Sequence, residues 1–180
     1  MAGAARELET WVTLVLADSA PALAEAHDEL YPVRVEEHIP LSLTLLAPFV
    51  PREKLTDEHV ETLRAFFAAR RPLVFDLTRL DEFPGLVVYA APEPEEELRA
   101  TMRALWALFP DYPPYGRPGS DPPPHATLAQ LGDDPDSVRE AVRRRVEPLL
   151  PVRCVAREAA LFEEYELDRC RVRETFPFGG

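Results

Sequence analysis

Residues Pro124-His125-Ala126-Thr127-Leu128 place an imidazole and a hydroxyl two positions apart, in a run that reads as a β-strand. Side chains alternate across a strand, so His125 and Thr127 share one face while Ala126 and Leu128 share the other. A group that can move a proton is thereby held beside a group that can hydrogen-bond an oxyanion. A second stretch, Leu41-Ser42-Leu43-Thr44-Leu45, has the same layout, with three leucines on one face and Ser42 and Thr44 on the other. The two stretches differ at the chemically decisive place: Ser42 stands where the other copy has His125.

The remaining elements are arranged around these two strands. Trp11 to Ala17 reads as a first strand, with Val12, Leu14 and Leu16 on one face. A helix follows from Ser19 and Pro21 to about Tyr31, and an irregular segment to Pro40 carries His38. After the Ser42 strand, Thr56 caps a helix to about Arg70 with Val60, Leu63, Phe66 and Phe67 at helical spacing. Leu73 to Leu80 and Gly85 to Ala91 form an antiparallel hairpin. Glu93 to Glu97 open a helix whose acidic first turn suits the macrodipole, and Leu98, Met102, Leu105 and Phe109 form its buried stripe. A proline-rich loop spans Pro110 to Pro124 and leads into the His125 strand. Asp134 and Pro135 cap a helix with Val138, Val142 and Val146 inward. Val152 to Phe162 and Glu166 to Phe176 close the chain as two strands of one hairpin, turning near Glu164. The element order is close to a duplicated unit, each copy with one hydroxyl-bearing strand.

Composition narrows the function. The chain has 180 residues, 46% of them hydrophobic, which suits one globular domain. Acidic residues number 32 against 20 lysines and arginines, for a formal net charge of -12. Such a surface repels long nucleic-acid backbones, whose binding rests on cationic neutralisation of phosphates. A local pocket for a small phosphate ligand is compatible with it. No apolar run is long enough for a membrane span, and with two cysteines, Cys154 and Cys170, a cytoplasmic location with free thiols is expected. No metal-ligand spacing and no glycine-rich phosphate loop occurs, so neither a metal nor another cofactor is expected.

Two stretches, Phe109-Pro110-Asp111-Tyr112-Pro113-Pro114-Tyr115-Gly116 leading to the His125 strand and Leu43-Thr44-Leu45-Leu46-Ala47-Pro48-Phe49-Val50-Pro51, resemble the two-histidine (2H) phosphoesterases. That group includes 2′-5′ RNA ligase-like proteins and cyclic phosphodiesterases. The resemblance covers nearly the whole chain. It implies an α+β fold over residues 1–180: a single bilobal domain, two pseudo-symmetric antiparallel sheets forming a central cleft, helices outside. It also implies a pair of His-x-Thr/Ser motifs that carry protons on opposite sides of a phosphate while hydroxyls hold the phosphoryl oxygens. His125 and Thr127 match the second motif and Thr44 the first; Ser42 replaces the first histidine and can only hydrogen-bond.

Ser42, Thr44, His125 and Thr127 are therefore the catalytic candidates. Tyr112, Tyr115 and Arg117 are candidates for lining the cleft mouth, by stacking on a base or pairing with phosphate; they read equally as a packed aromatic cluster and a surface arginine. His38 shares parity with Ser42, but four strand residues span about 13 Å and Pro40 intervenes, so it would have to fold back over the cleft. His27 and His59 read as solvated. Three functions follow: a divergent phosphoesterase for a small cyclic phosphate or 2′-5′ linkage, a non-catalytic ligand-binding module, or a recruited cyclase or isomerase that does not use phosphate.

Overall fold

Alternating burial shapes the strands, and caps end the helices. The computed structural model describes residues 6–30, 39–167 and 169–180. In chain order the elements are β1 (Thr10–Val15), α1 (Pro21–Leu30), β2 (Ser42–Leu46), α2 (Asp57–Ala68), β3 (Leu73–Phe83), β4 (Val87–Glu93), α3 (Glu96–Leu108), β5 (Ala126–Gln130), α4 (Pro135–Val146), β6 (Val152–Ala156), β7 (Glu158–Glu166) and β8 (Arg169–Pro177). Thr56 caps α2 by accepting from the His59 N–H, and His59 Nδ1 accepts from the Thr56 N–H in return. Asp134 caps α4 by accepting from the Ser137 N–H, with Pro135 in the first turn.

The strands form one strongly curled antiparallel sheet in the order β6-β3-β4-β5-β2-β1-β7-β8. It is built as two four-stranded halves, β6-β3-β4-β5 and β2-β1-β7-β8. They meet at the central pair β2 and β5, through Leu43 opposite Ala126. A pseudo-twofold through that pair exchanges β2 with β5, β1 with β4, β7 with β3 and β8 with β6. Helices cover both halves: α2 packs on β8 and α3 on β2, while α1 and α4 pack together over β5. The two strands at its centre carry the two motifs, but the halves are not the two consecutive copies read from the element order: β3 and β4 join β5 and β6, while β7 and β8 return to β1 and β2.

One face of the sheet is the core. Val12 and Leu14 of β1, Leu43 and Leu45 of β2, and Leu128 of β5 pack there against Leu23, Leu63, Phe67, Leu98, Leu105 and Val142 of the four helices. Burying each such side chain stabilises the fold by about 1.5–3 kcal/mol. The Trp106 indole N–H donates to the Leu45 carbonyl at 2.8 Å, tying α3 to the back of β2.

The C-terminal region departs from expectation. Val152 to Phe162 is two strands, broken at Arg157, with β6 on the β3 edge and β7 beside β1. The closing hairpin is β7–β8, and its ladder continues past Glu164 to Glu166 opposite Arg169. Cys154 and Cys170 therefore lie in different halves of the sheet; both are buried free thiols. The expected α3 start at Glu93 is also corrected, since β4 runs through Glu93 and the helix begins at Glu96. His27, read as solvated, is buried.

Candidate functional site

His125 stands one residue before β5, at the end of the run Pro122-Pro123-Pro124. Its Nδ1 lies 2.8 Å from the Pro123 carbonyl. A carbonyl can only accept, so Nδ1 carries the proton and the lone pair is on Nε2. The ring is packed edge-on against Phe83, with centroids 4.8 Å apart and an interplanar angle of 90°, and against Tyr89 at 5.3 Å. With 7% of its surface exposed, its proton affinity is lowered by burial, and the Pro123 bond offsets this only in part. The imidazole is accordingly neutral down to a lower pH than a free histidine, suited to accepting a proton.

The register places the other motif residues around it. Extending the Leu43–Ala126 pair by one residue each way sets Thr44 opposite His125 and Ser42 opposite Thr127. Cβ atoms of directly opposed residues lie roughly 5 Å apart and diagonal neighbours about 7–8 Å. Each motif's first residue thus faces the other motif's threonine, and Ser42 and His125 sit diagonally across the pseudo-twofold. Ser42, Thr44 and Thr127 are half-buried, while Leu41, Leu43 and Leu45 are fully buried behind them.

Further residues on this face were not anticipated from the sequence. Thr13 of β1 lies opposite Thr44, is buried, and its hydroxyl has no hydrogen-bond partner among the described residues. Tyr89 of β4 lies opposite Thr127. Its phenol is pushed above the usual range by burial and by the Asp81 charge, and Arg79 donates to that carboxylate at 2.9 Å. On the other half Trp11 stacks on Phe162 at 5.5 Å. The signal for Thr13 was its place on the face of β1 opposite Val12 and Leu14; aromatic residues such as Tyr89 read by default as core.

Of the three residues expected at the cleft mouth, the structure brings Tyr115 to the histidine. The Tyr115 hydroxyl lies 3.4 Å from His125 Nε2. Tyr115, Thr44, Met102, Pro122 and His125 enclose a space of about 10 Å³, close to what one water needs. Tyr112 instead packs against Phe49 and His59, with centroids 5.9 Å and 6.3 Å away. It lines a groove of about 600 Å³ with the 6–9 segment and Pro48. Arg117 is exposed. His38 lies outside the described residues. Among the described residues no cluster of three His, Cys, Asp or Glu side chains has a metal-binding arrangement, and no helix is long and apolar enough to cross a membrane.

A sequence profile of the 2′-5′ RNA ligase superfamily matches residues 15–167, both motif strands included. The chain belongs to the 2′-5′ RNA ligase superfamily. Solved structures of this fold superpose along its length. E. coli LigT complexed with NADP+ aligns with a TM-score of 0.59 at 14% identity, covering 98% of this chain and 100% of that one. TT0787 of Thermus thermophilus aligns at 0.58 and 21% identity, covering 96% and 98%. E. coli LigT complexed with 3′-AMP aligns at 0.59 and 13% identity, covering 97% and 100%. A search of curated protein sequences finds no match.

Proposed function

We propose that the cleft binds a small phosphate ester, a 2′,3′-cyclic nucleotide or a 2′-5′ phosphodiester, and that His125 is its one proton carrier, acting as a general base. The carrying observation is the His125 ring, with Nδ1–H on the Pro123 carbonyl, Nε2 able to accept, and burial keeping it neutral. Thr44, opposite it, and Thr127, on its own strand, supply hydroxyls for the phosphoryl oxygens. On a cyclic ester, Nε2 takes a proton from water while that oxygen forms a bond to phosphorus. The ring P–O bond breaks, and the departing oxygen takes its proton from solvent. Ser42 can steady that oxygen by a hydrogen bond but is too weak an acid to protonate it near neutral pH, so turnover is slow relative to a two-histidine site. The E. coli LigT complexes with NADP+ and 3′-AMP support a ligand of nucleotide size. The buried free thiols support a reducing, cytoplasmic setting.

The second reading, a binding module without turnover, is favoured by Ser42 itself, which removes one of the two imidazoles. Phosphorus NMR of the protein with a panel of cyclic nucleotides and 2′-5′ linked dinucleotides separates the two. Slow conversion to a phosphate monoester, abolished in His125→Ala, is the expected result. Binding without conversion selects the module, and neither binding nor conversion rejects the proposal.

A further inference from the structure

Tyr115 has an unusual backbone. Among the described residues it is the one non-glycine residue with a positive φ, at φ 55° and ψ 23°. That left-handed conformation is unfavourable for a residue with a Cβ, and it persists only where the surroundings impose it. Here the Tyr115 N–H donates to the Ala47 carbonyl at 2.7 Å, and the Gly116 N–H donates to the Pro113 carbonyl at 2.9 Å. Gly116 continues the left-handed turn at φ 63°. The turn sends the tyrosine ring back over the cleft instead of out along the loop.

The ring arrives with its hydroxyl at His125. Because Nδ1–H is committed to Pro123, Nε2 can only accept, so the phenol donates across the 3.4 Å contact. Tyr115 is 46% exposed as a residue, yet its hydroxyl end is desolvated, which holds the proton on the phenol. The other ring near the imidazole that bears a hydroxyl, Tyr89, is turned toward Asp81. Tyr115 is thus a hydrogen-bond donor, placed on the same side of the site as His125. It cannot substitute for the imidazole missing at Ser42, which belongs across the pseudo-twofold.

Resting on the phosphate-ester reading of the cleft, we propose that Tyr115 is a positioning residue for His125. In the free protein its hydroxyl caps Nε2, holding the imidazole neutral and correctly turned. When a ligand brings an attacking oxygen to Nε2, the phenol moves its hydrogen bond to a phosphoryl oxygen and strengthens it as charge builds there.

The test is Tyr115→Phe, which keeps ring and backbone and deletes the hydroxyl. In the ligand-free protein, nitrogen-15 NMR should show His125 Nε2 moving toward the value of an imidazole nitrogen with no donor, with Nδ1–H unchanged. With a 2′,3′-cyclic nucleotide as substrate, kcat should fall about tenfold, the size of one hydrogen bond to a charged group, with KM within about twofold. An unchanged Nε2 resonance overturns the inference, as does an unchanged kcat. Failure of the underlying reading looks different: wild-type protein with no conversion of any phosphate ester rejects both. Turnover that needs His125 but ignores Tyr115→Phe rejects the Tyr115 role alone.

Discussion

Replacing Ser42 by histidine restores the second proton carrier, and the structure indicates how well it would sit. Ser42 is half-buried at the start of β2, opposite Thr127 of β5 on one side and Val15 of β1 on the other. The two motif strands align as Pro40-Leu41-Ser42-Leu43-Thr44 and Pro123-Pro124-His125-Ala126-Thr127. Pro40 therefore stands at the offset from which the Pro123 carbonyl fixes His125, and its own carbonyl can accept Nδ1–H from an introduced imidazole. A well-placed general acid contributes about 100- to 10,000-fold. An engineered one, in a pocket shaped around serine, should reach the bottom of that range or somewhat below. Ser42→His should accordingly hydrolyse a 2′,3′-cyclic nucleotide at least about tenfold faster than wild type, and adding His125→Ala should abolish the gain. Ser42→Ala deletes one hydrogen bond worth about 1 kcal/mol, so its loss should be about fivefold. Initial rates followed by chromatography, with circular dichroism to verify folding, measure all four proteins. A folded Ser42→His protein with no gain on any cyclic phosphate would refute the reasoning, because the symmetry-related position would then not address the same phosphate.

Other consequences are open to simple measurement. Burial pushes the Cys154 thiol up to about 11, and Cys170 is buried as well, so a thiol reagent at neutral pH should label neither until denaturant is added; rapid native labelling would contradict this. Leu43→Ala opens a hole at the junction of the two half-sheets, where the side chain is fully buried, and urea unfolding should show a loss of about 2–5 kcal/mol. A smaller loss would mean that the central pair contributes little to joining the halves. With a net charge of -12, the protein should not bind a roughly 20-nucleotide RNA tightly at physiological salt; submicromolar binding in a gel-shift assay would overturn that.

Much of this architecture was written in local patterns. The period-two alternation at 41–45 and 124–128 fixed which side chains share a face, and the sheet register agrees. Thr56 and Asp134-Pro135 announced their helices because caps are local chemistry. The break at Arg157 was not legible: a strand run interrupted only by the charged pair Arg157-Glu158, with no glycine or proline, gives no sign that its two parts join opposite halves of the sheet. That partition is decided by long-range pairing. The Tyr115–His125 contact was only half legible. The proline-rich loop pointed to a cleft mouth, but the direction of the ring depends on a left-handed turn that Gly116 hints at and Tyr115 does not. Arg117 and Tyr112 share that loop with Tyr115, and the same turn places neither at His125. Tyr89 escaped notice because an aromatic residue in a strand reads as core, and Phe83 because the strand read as ending at Leu80 runs on to Phe83; only the sheet order brings them to the histidine.

The central claim is that His125 works alone as a base, and the pH dependence of kcat/KM for a 2′,3′-cyclic nucleotide tests it most directly. Burial lowers the His125 pKa from its ordinary value near 6.5. The active neutral form is therefore full at neutral pH and lost only as pH falls through that lowered value. The profile should be flat through neutral pH and fall on the acid side alone, with one ionisation, and it should vanish in His125→Ala. A bell-shaped wild-type profile, or an acid limb that survives His125→Ala, would show that another proton carrier does the chemistry.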